Sequence, residues 1–192
     1  MDDQKVAAAL TRRTVVLSAA WAVPVVSFAT AAPALAASGP APLIPPLSAS
    51  TWTLTTSGAV KKDGVAFGTN ATGSYVNVTT DPALSSTYTA TISTTISVVA
   101  GVTYYFTWSY VAYANNPRPM TGTLSVDGAA LAGGITTATM SGTAVTGTVT
   151  QSYTATTTGT VTLALVFSIS ATATTGTGDD ILVYTPTVTT SP

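Results

Sequence analysis

The chain has 192 residues, of which 46% are hydrophobic and only 7% charged, with a formal net charge of −1. It contains no Cys, His or Glu, which excludes disulfides, zinc–thiolate sites, a cysteine nucleophile, a histidine general base and lipid attachment through cysteine. So hydrophobic a chain with so little charge is not disordered in composition, and its abundant Thr and Val favour strands, because β-branched side chains fit a pleated surface and lose rotamer freedom in a helix.

Residues 1–36 read as a helical signal peptide rather than as part of the fold. The N-terminal region ends in Thr11-Arg12-Arg13-Thr14-Val15-Val16-Leu17, which resembles the twin-arginine export motif. An uncharged apolar run follows over residues 15–35, and Ala34-Leu35-Ala36 offers small residues to a signal peptidase, with cleavage expected after Ala36. Asp2 and Asp3 dilute the positive region and no lysine follows the motif, so the general secretory route is the competing reading. A retained membrane anchor is the other alternative, since about 20 apolar residues can span a bilayer; Pro24, Pro33 and the small-residue cleavage site argue against it. Export implies the translocase and the peptidase as partners, no stable membrane span in the mature protein, and release outside the cell or, with two membranes, into the periplasm. The chain stops at Thr190-Ser191-Pro192 without a sorting motif, which fits release.

Residues 37–48 are rich in proline and are expected to form an extended, semi-rigid linker. Strand punctuation then runs over residues 49–190. Residues 50–56 alternate around Trp52 and Leu54; residues 65–67 are short and bounded by Gly64 and Gly68; residues 74–79 set Tyr75 against Val76 and Val78. Tyr88, Ala90, Ile92, Thr94, Ile96 and Val98 share one parity, as one long half-buried strand or two across a bend. Residues 103–113 form the most aromatic strand, with Tyr104, Phe106, Trp108 and Tyr110 on the face assigned to the core and Tyr105, Thr107, Ser109, Val111 and Tyr113 on the other. Residues 115–119 are a loop. Asp127-Gly128 is the two-residue turn of a hairpin, whose return strand is expected from Leu131. Strands over residues 148–156, 160–169 and 181–188 complete about nine, with no helical periodicity after residue 40, which predicts an all-β sandwich or barrel.

Several of these features together resemble a family. They are the early Trp52, residues 98–101 running into Thr103-Tyr104-Tyr105-Phe106-Thr107-Trp108, the Leu124-to-Gly128 hairpin, Ser152-Tyr153-Thr154-Ala155, and Asp179-Asp180-Ile181-Leu182-Val183 near the end. The pattern looks like the galactose-binding-like jelly roll of carbohydrate-binding modules and bacterial surface repeats. That resemblance implies a two-sheet antiparallel β-sandwich over residues 49–190.

It also implies a sugar site on a sheet face or rim. Tyr105 and Tyr113 would supply flat rings, and Asn115, Asn116 and Arg118 in the adjoining loop would supply polar groups; the alternative is an ordinary exposed β-face, where Tyr and Thr are favoured anyway. Asp179 and Asp180 precede the last strand, where the family often holds a structural calcium; no other acid lies near in sequence, and a Gly-Asp-Asp turn explains them equally. Otherwise no cofactor is implied.

Past Ala36 the charged side chains are Lys61, Lys62 and Arg118 against Asp63, Asp81, Asp127, Asp179 and Asp180, too few for a nucleic-acid or membrane-binding stripe. Asp63, Asp81 and Asp127 sit at Gly or Pro turns, which leaves little for catalysis by paired carboxylates. The Thr-x-Thr repeats are not periodic, so ice binding by a solenoid is not implied. The expectation is a secreted, non-enzymatic binding module for extracellular polysaccharide. The alternatives are an adhesive or structural surface protein acting through protein contacts and, more remotely, a secreted hydrolase.

Overall fold

A computed structural model of the chain describes residues 41–62, 64–82, 86–171 and 177–191. The expectations at Arg12, Arg13, Ala34 and Ala36 lie outside these residues, as does Asp63. Among the described residues the strands are, in chain order, β1 (Thr53–Ser57), β2 (Val60–Lys62), β3 (Val65–Asn70), β4 (Gly73–Val78), β5 (Asp81–Pro82), β6 (Tyr88–Val98) and β7 (Thr103–Ala114). They continue with β8 (Met120–Val126), β9 (Ala129–Ala130), β10 (Ile135–Thr136), β11 (Gly142–Thr154), β12 (Gly159–Ile169), β13 (Asp180–Tyr184) and β14 (Thr187–Ser191). The single helical element among the described residues is a 3-10 turn at Thr137–Thr139, and no helix there is long and apolar enough to cross a membrane.

The strands form two antiparallel sheets packed face to face. The first has the order β1-β6-β12-β8-β10, with β9 beside β8; the second has the order β11-β7-β13-β4-β3, with β14 beside β7. Strands β2 and β5 make a small separate ladder. The long strands alternate between sheets: β6, β8 and β12 lie in the first, β7, β11 and β13 in the second. This is the chain path of a jelly roll. The expected all-β two-sheet sandwich is therefore observed.

The core follows from the period of two. On β6 the buried residues are Tyr88, Ala90, Ile92, Ile96 and Val98, the parity expected, and β6 is one continuous strand. Strand β12 contributes Val161, Leu163, Leu165, Phe167 and Ile169, and β7 contributes Tyr104, Phe106 and Trp108. Each large side chain removed from water contributes about 1.5–3 kcal/mol. At the hairpin after β8, Asp127 and Gly128 both have positive φ (48° and 81°), as the two-residue turn requires.

Three local expectations change. Of the expected linker, the described residues 41–48 pack onto the domain: Ile44 and Leu47 are buried, the Leu47 amide donates to Thr185 Oγ1 at 3.0 Å, and Trp52 Nε1 donates to the Pro45 carbonyl at 3.0 Å. The prolines fix an extended path, and the apolar residues between them use it to reach the core. The return strand expected from Leu131 amounts to Ala129–Ala130, after which the chain bulges away from β8 and rejoins it at β10. The last expected strand splits at Pro186, which cannot continue a ladder as a donor.

The bulge is closed by Gln151 of β11, a fully buried amide reaching from the second sheet to the edge of the first. Its Oε1 accepts from the Leu124 amide at 3.0 Å and from Trp108 Nε1 at 3.1 Å. Its Nε2 donates to Thr123 Oγ1 at 2.9 Å, the Leu131 carbonyl at 2.8 Å and the Ala132 carbonyl at 3.1 Å. One side chain thus replaces the missing strand pairing and ties the layers together.

Candidate functional site: the outer face of the second sheet

Alternation along β7 sends Tyr105 and Tyr113 outward, 38% and 39% exposed, while Tyr104, Phe106 and Trp108 face in. The two outward tyrosines are eight residues apart, about 27 Å at the rise of an antiparallel strand. They share a face but cannot touch one sugar ring.

Cross-strand register decides what each meets. Tyr105 lies between Ser152 of β11 and Thr189 of β14. Around it the hydroxyls pair with one another: Thr103 with Thr154 at 2.9 Å, Thr107 with Thr150 at 2.9 Å, and Ser109 with Thr148 at 3.3 Å. Tyr113 lies opposite Asp180 of β13, and Val111 between Thr146 and Leu182.

On the same outer face, Tyr184 of β13 stands opposite Tyr75 of β4. Their rings meet edge to face, with centroids 6.2 Å apart at 77°. Asn70 Nδ2 donates to Tyr184 Oη at 3.2 Å. Tyr75 in turn lies over Gly68 of β3, where an added Cβ would come within 2.5 Å of the ring. Gly68 therefore makes the space that Tyr75 needs to brace Tyr184. Beside Tyr184 is a shallow hollow of about 350 Å³, lined by Thr72, Ser109, Val111, Thr146, Thr148 and Tyr184 among others, none of them charged.

The loop after β7 is placed differently from the expectation. Asn115 is exposed beside Tyr113. Arg118, expected as a ligand group, is buried: its guanidinium donates to the Ser170 carbonyl at 2.8 Å, and its own carbonyl accepts from the Asp179 amide at 2.8 Å. The lone arginine past Ala36 is a strut between loops, its long apolar stem and forked donors suiting a buried post among carbonyls. Asn116 is half-buried and likewise turned to the interior, its Nδ2 donating to the Gly178 carbonyl at 2.7 Å.

Asp179 is buried beneath this loop. Its Oδ1 accepts from the Asn116 amide at 2.8 Å, and its Oδ2 from the Thr137 hydroxyl at 2.5 Å. Thr137 Oγ1 itself accepts from the Met120 amide at 2.8 Å. Asp180, paired with Tyr113, is on the outer face, so the adjacent carboxylates point to opposite sides of the sheet. These residues do not fit calcium, which takes six to eight oxygen ligands. Both Asp179 oxygens already accept hydrogen bonds, and the Asp180 carboxylate does not converge with them.

Tyr184 and Thr72 were not marked by the sequence, and Tyr75 was marked only by its alternation with Val76 and Val78. Tyr184 alternates with the buried Ile181 and Val183, which was a legible sign of an outward ring, but nothing local shows that β4 lies beside β13.

No family model matches the chain, and no curated protein matches it in sequence. Among solved structures it is similar to a carbohydrate-binding module of the CBM4 class, at 17% identity and a TM-score of 0.43, over 73% of this chain and 86% of that one. It is also similar to TmCBM61 in complex with β-1,4-galactotriose, at 12% identity and a TM-score of 0.39, over 73% and 88%. A third is a cyclase from Fischerella sp. TAU, at 12% identity and a TM-score of 0.41, over 84% and 92%. Likenesses of this strength carry no inference about ligand or reaction, and the fold rests on the sheet topology above.

Proposed function

We propose that the chain is an exported, non-catalytic binding module for neutral polysaccharide, and that the ligand lies on the outer face of the second sheet between Tyr113 and Tyr184. The observation that supports this is the uncharged hollow beside Tyr184, where an anchored aromatic ring borders a surface of Ser109, Val111, Thr146 and Thr148. A neutral sugar offers apolar C–H faces edged by hydroxyls, so it is recognised by a flat ring together with short-range hydrogen-bonding groups rather than by charge. Tyr184 supplies the ring, and its bracing by Tyr75 and Asn70 reduces the entropy lost on binding. The Ser and Thr hydroxyls can each donate and accept. Tyr113 and Asn115 extend the same face toward the rim.

Hydrolysis is a weaker reading, because two carboxylates must flank one bond and Asp179 and Asp180 face opposite ways. The paired arginines Arg12 and Arg13, with cleavage after Ala36, would deliver the module outside the cytoplasm.

Binding of the full chain to immobilised neutral polysaccharides tests the proposal. Tyr184→Ala is expected to weaken binding at least about tenfold, the loss of a central aromatic anchor, while Tyr105→Ala changes it little. An absence of binding to every neutral glycan tried, or unaltered binding by Tyr184→Ala, overturns it.

A further inference from the structure

We infer that the free edge of β11 is a self-association surface, on which a second copy of this chain adds its own β11 antiparallel to the first. The observation is the contrast between this edge and the shorter strands at the other sheet margins, among them β14, five residues long and paired only with β7 among the described residues. The first sheet ends at β10, two residues long, with the neighbouring bulge plugged by Gln151; its far edge is β1, five residues. The second sheet ends on one side at β3, six residues. On the other side it ends at β11, thirteen residues, whose one strand partner among the described residues is β7.

Edges left open to solvent are normally blunted by charge, proline, shortness or a bulge. Residues 142–154 contain no Lys, Arg, Asp, Glu or Pro. The one irregularity lies between Gly142 and Val145, at the start of the strand. From Val145 to Thr154 the register with β7 is unbroken, leaving roughly 33 Å of regular edge.

The occupant follows from the strand's two faces. Its outer row is Thr146, Thr148, Thr150 and Ser152, all exposed; its inner row includes Val149 and Tyr153, which pack against the core yet remain half-exposed at the rim. Two-fold antiparallel pairing of a strand with itself preserves parity, so the hydroxyl row meets a hydroxyl row and the apolar row meets an apolar row. A charged strand would set like charges opposite one another in such a pair; this one carries none. Thr–Thr pairing across strands is already the habit of this sheet, at Thr103–Thr154 and Thr107–Thr150. Each hydroxyl retains acceptor capacity for a further neighbour. The second sheets of the two copies then run on as one, independently of whether the outer face binds sugar.

Sedimentation of the full chain over a range of concentrations reads this directly. A reversible monomer–dimer equilibrium is expected, weakened at least about tenfold in the double variant Thr148→Lys/Thr150→Lys, whose charges repel across the two-fold. The control, Thr162→Lys on the outer face of the first sheet, should dimerise as the parent does. Thr148→Pro and Val149→Pro form a second test. Adjacent amides of an edge strand aim in opposite directions, so one of the two prolines removes only an edge donor; the variant that keeps the parent's melting is expected to be monomeric. A parent chain that stays monomeric at high concentration, or a dimer indifferent to both sets of substitutions, overturns the inference. So does a dimer lost equally on Thr162→Lys.

Discussion

Replacing Gln151 by Met keeps a side chain of similar length and removes both polar ends. Two buried donors then lose their acceptor: the Leu124 amide and the Trp108 indole N–H, whose residues are 0% and 1% exposed. The acceptors lose less, since the Leu131 carbonyl still receives the Thr123 hydroxyl at 3.1 Å. An orphaned buried donor costs about 1–3 kcal/mol, so the pair costs about 2–6 kcal/mol. Set against a total stability of about 5–15 kcal/mol, that is a large fraction. In thermal terms it is a fall of roughly 5–20 °C for a domain of this size. Guanidinium unfolding followed by tryptophan fluorescence is the assay, because Trp52 and Trp108 are both in the core. A loss below about 1 kcal/mol would mean that water or a shifted backbone satisfies these donors, and the account of Gln151 as a substitute strand would fail.

Three further outcomes are expected. Arg118→Ala should lower stability by about 1.5–3 kcal/mol, since hydrogen bonds to a charged group are lost, and should leave glycan affinity unchanged at a temperature where the variant is folded; a selective loss of affinity would return Arg118 to the binding site. Asp127→Ala should cost about 1–2 kcal/mol in the same unfolding assay, because it strains a left-handed residue and removes the acceptor of the Thr162 amide at 2.7 Å. Asp127→Asn, which tolerates that conformation, should cost much less. Added calcium or a chelator should move the melting temperature by less than about 1 °C; a marked calcium-dependent rise would contradict the hydrogen-bonded assignment of Asp179.

Much of the fold was legible because its signals are local. The parity of Tyr88 through Val98 and of Tyr104 through Trp108 follows from the two-residue repeat of a strand, and each stretch needs only one face buried to reveal it. The Asp127-Gly128 turn is likewise written in two adjacent residues. The outward faces of Tyr105 and Tyr113 came from the same rule.

What the sequence alone could not supply is which strands are neighbours. Tyr184 becomes a candidate residue because β13 lies between β7 and β4, which sets it against Tyr75 and beside the hollow over Ser109 and Val111. Gln151 reads as one polar residue in a Thr-rich strand until the bulge after Ala130 gives it a gap to fill. Arg118 and Asp179 looked like surface chemistry because charged residues usually are. Here the loop after β7 folds over the sandwich end, and burial turns their donors and acceptors inward. Composition and alternation determined an all-β sandwich or barrel, Thr-rich and nearly uncharged. Tertiary structure alone decided which polar groups are spent inside it and which are left on its surface, because that depends on contacts between strands far apart in the chain.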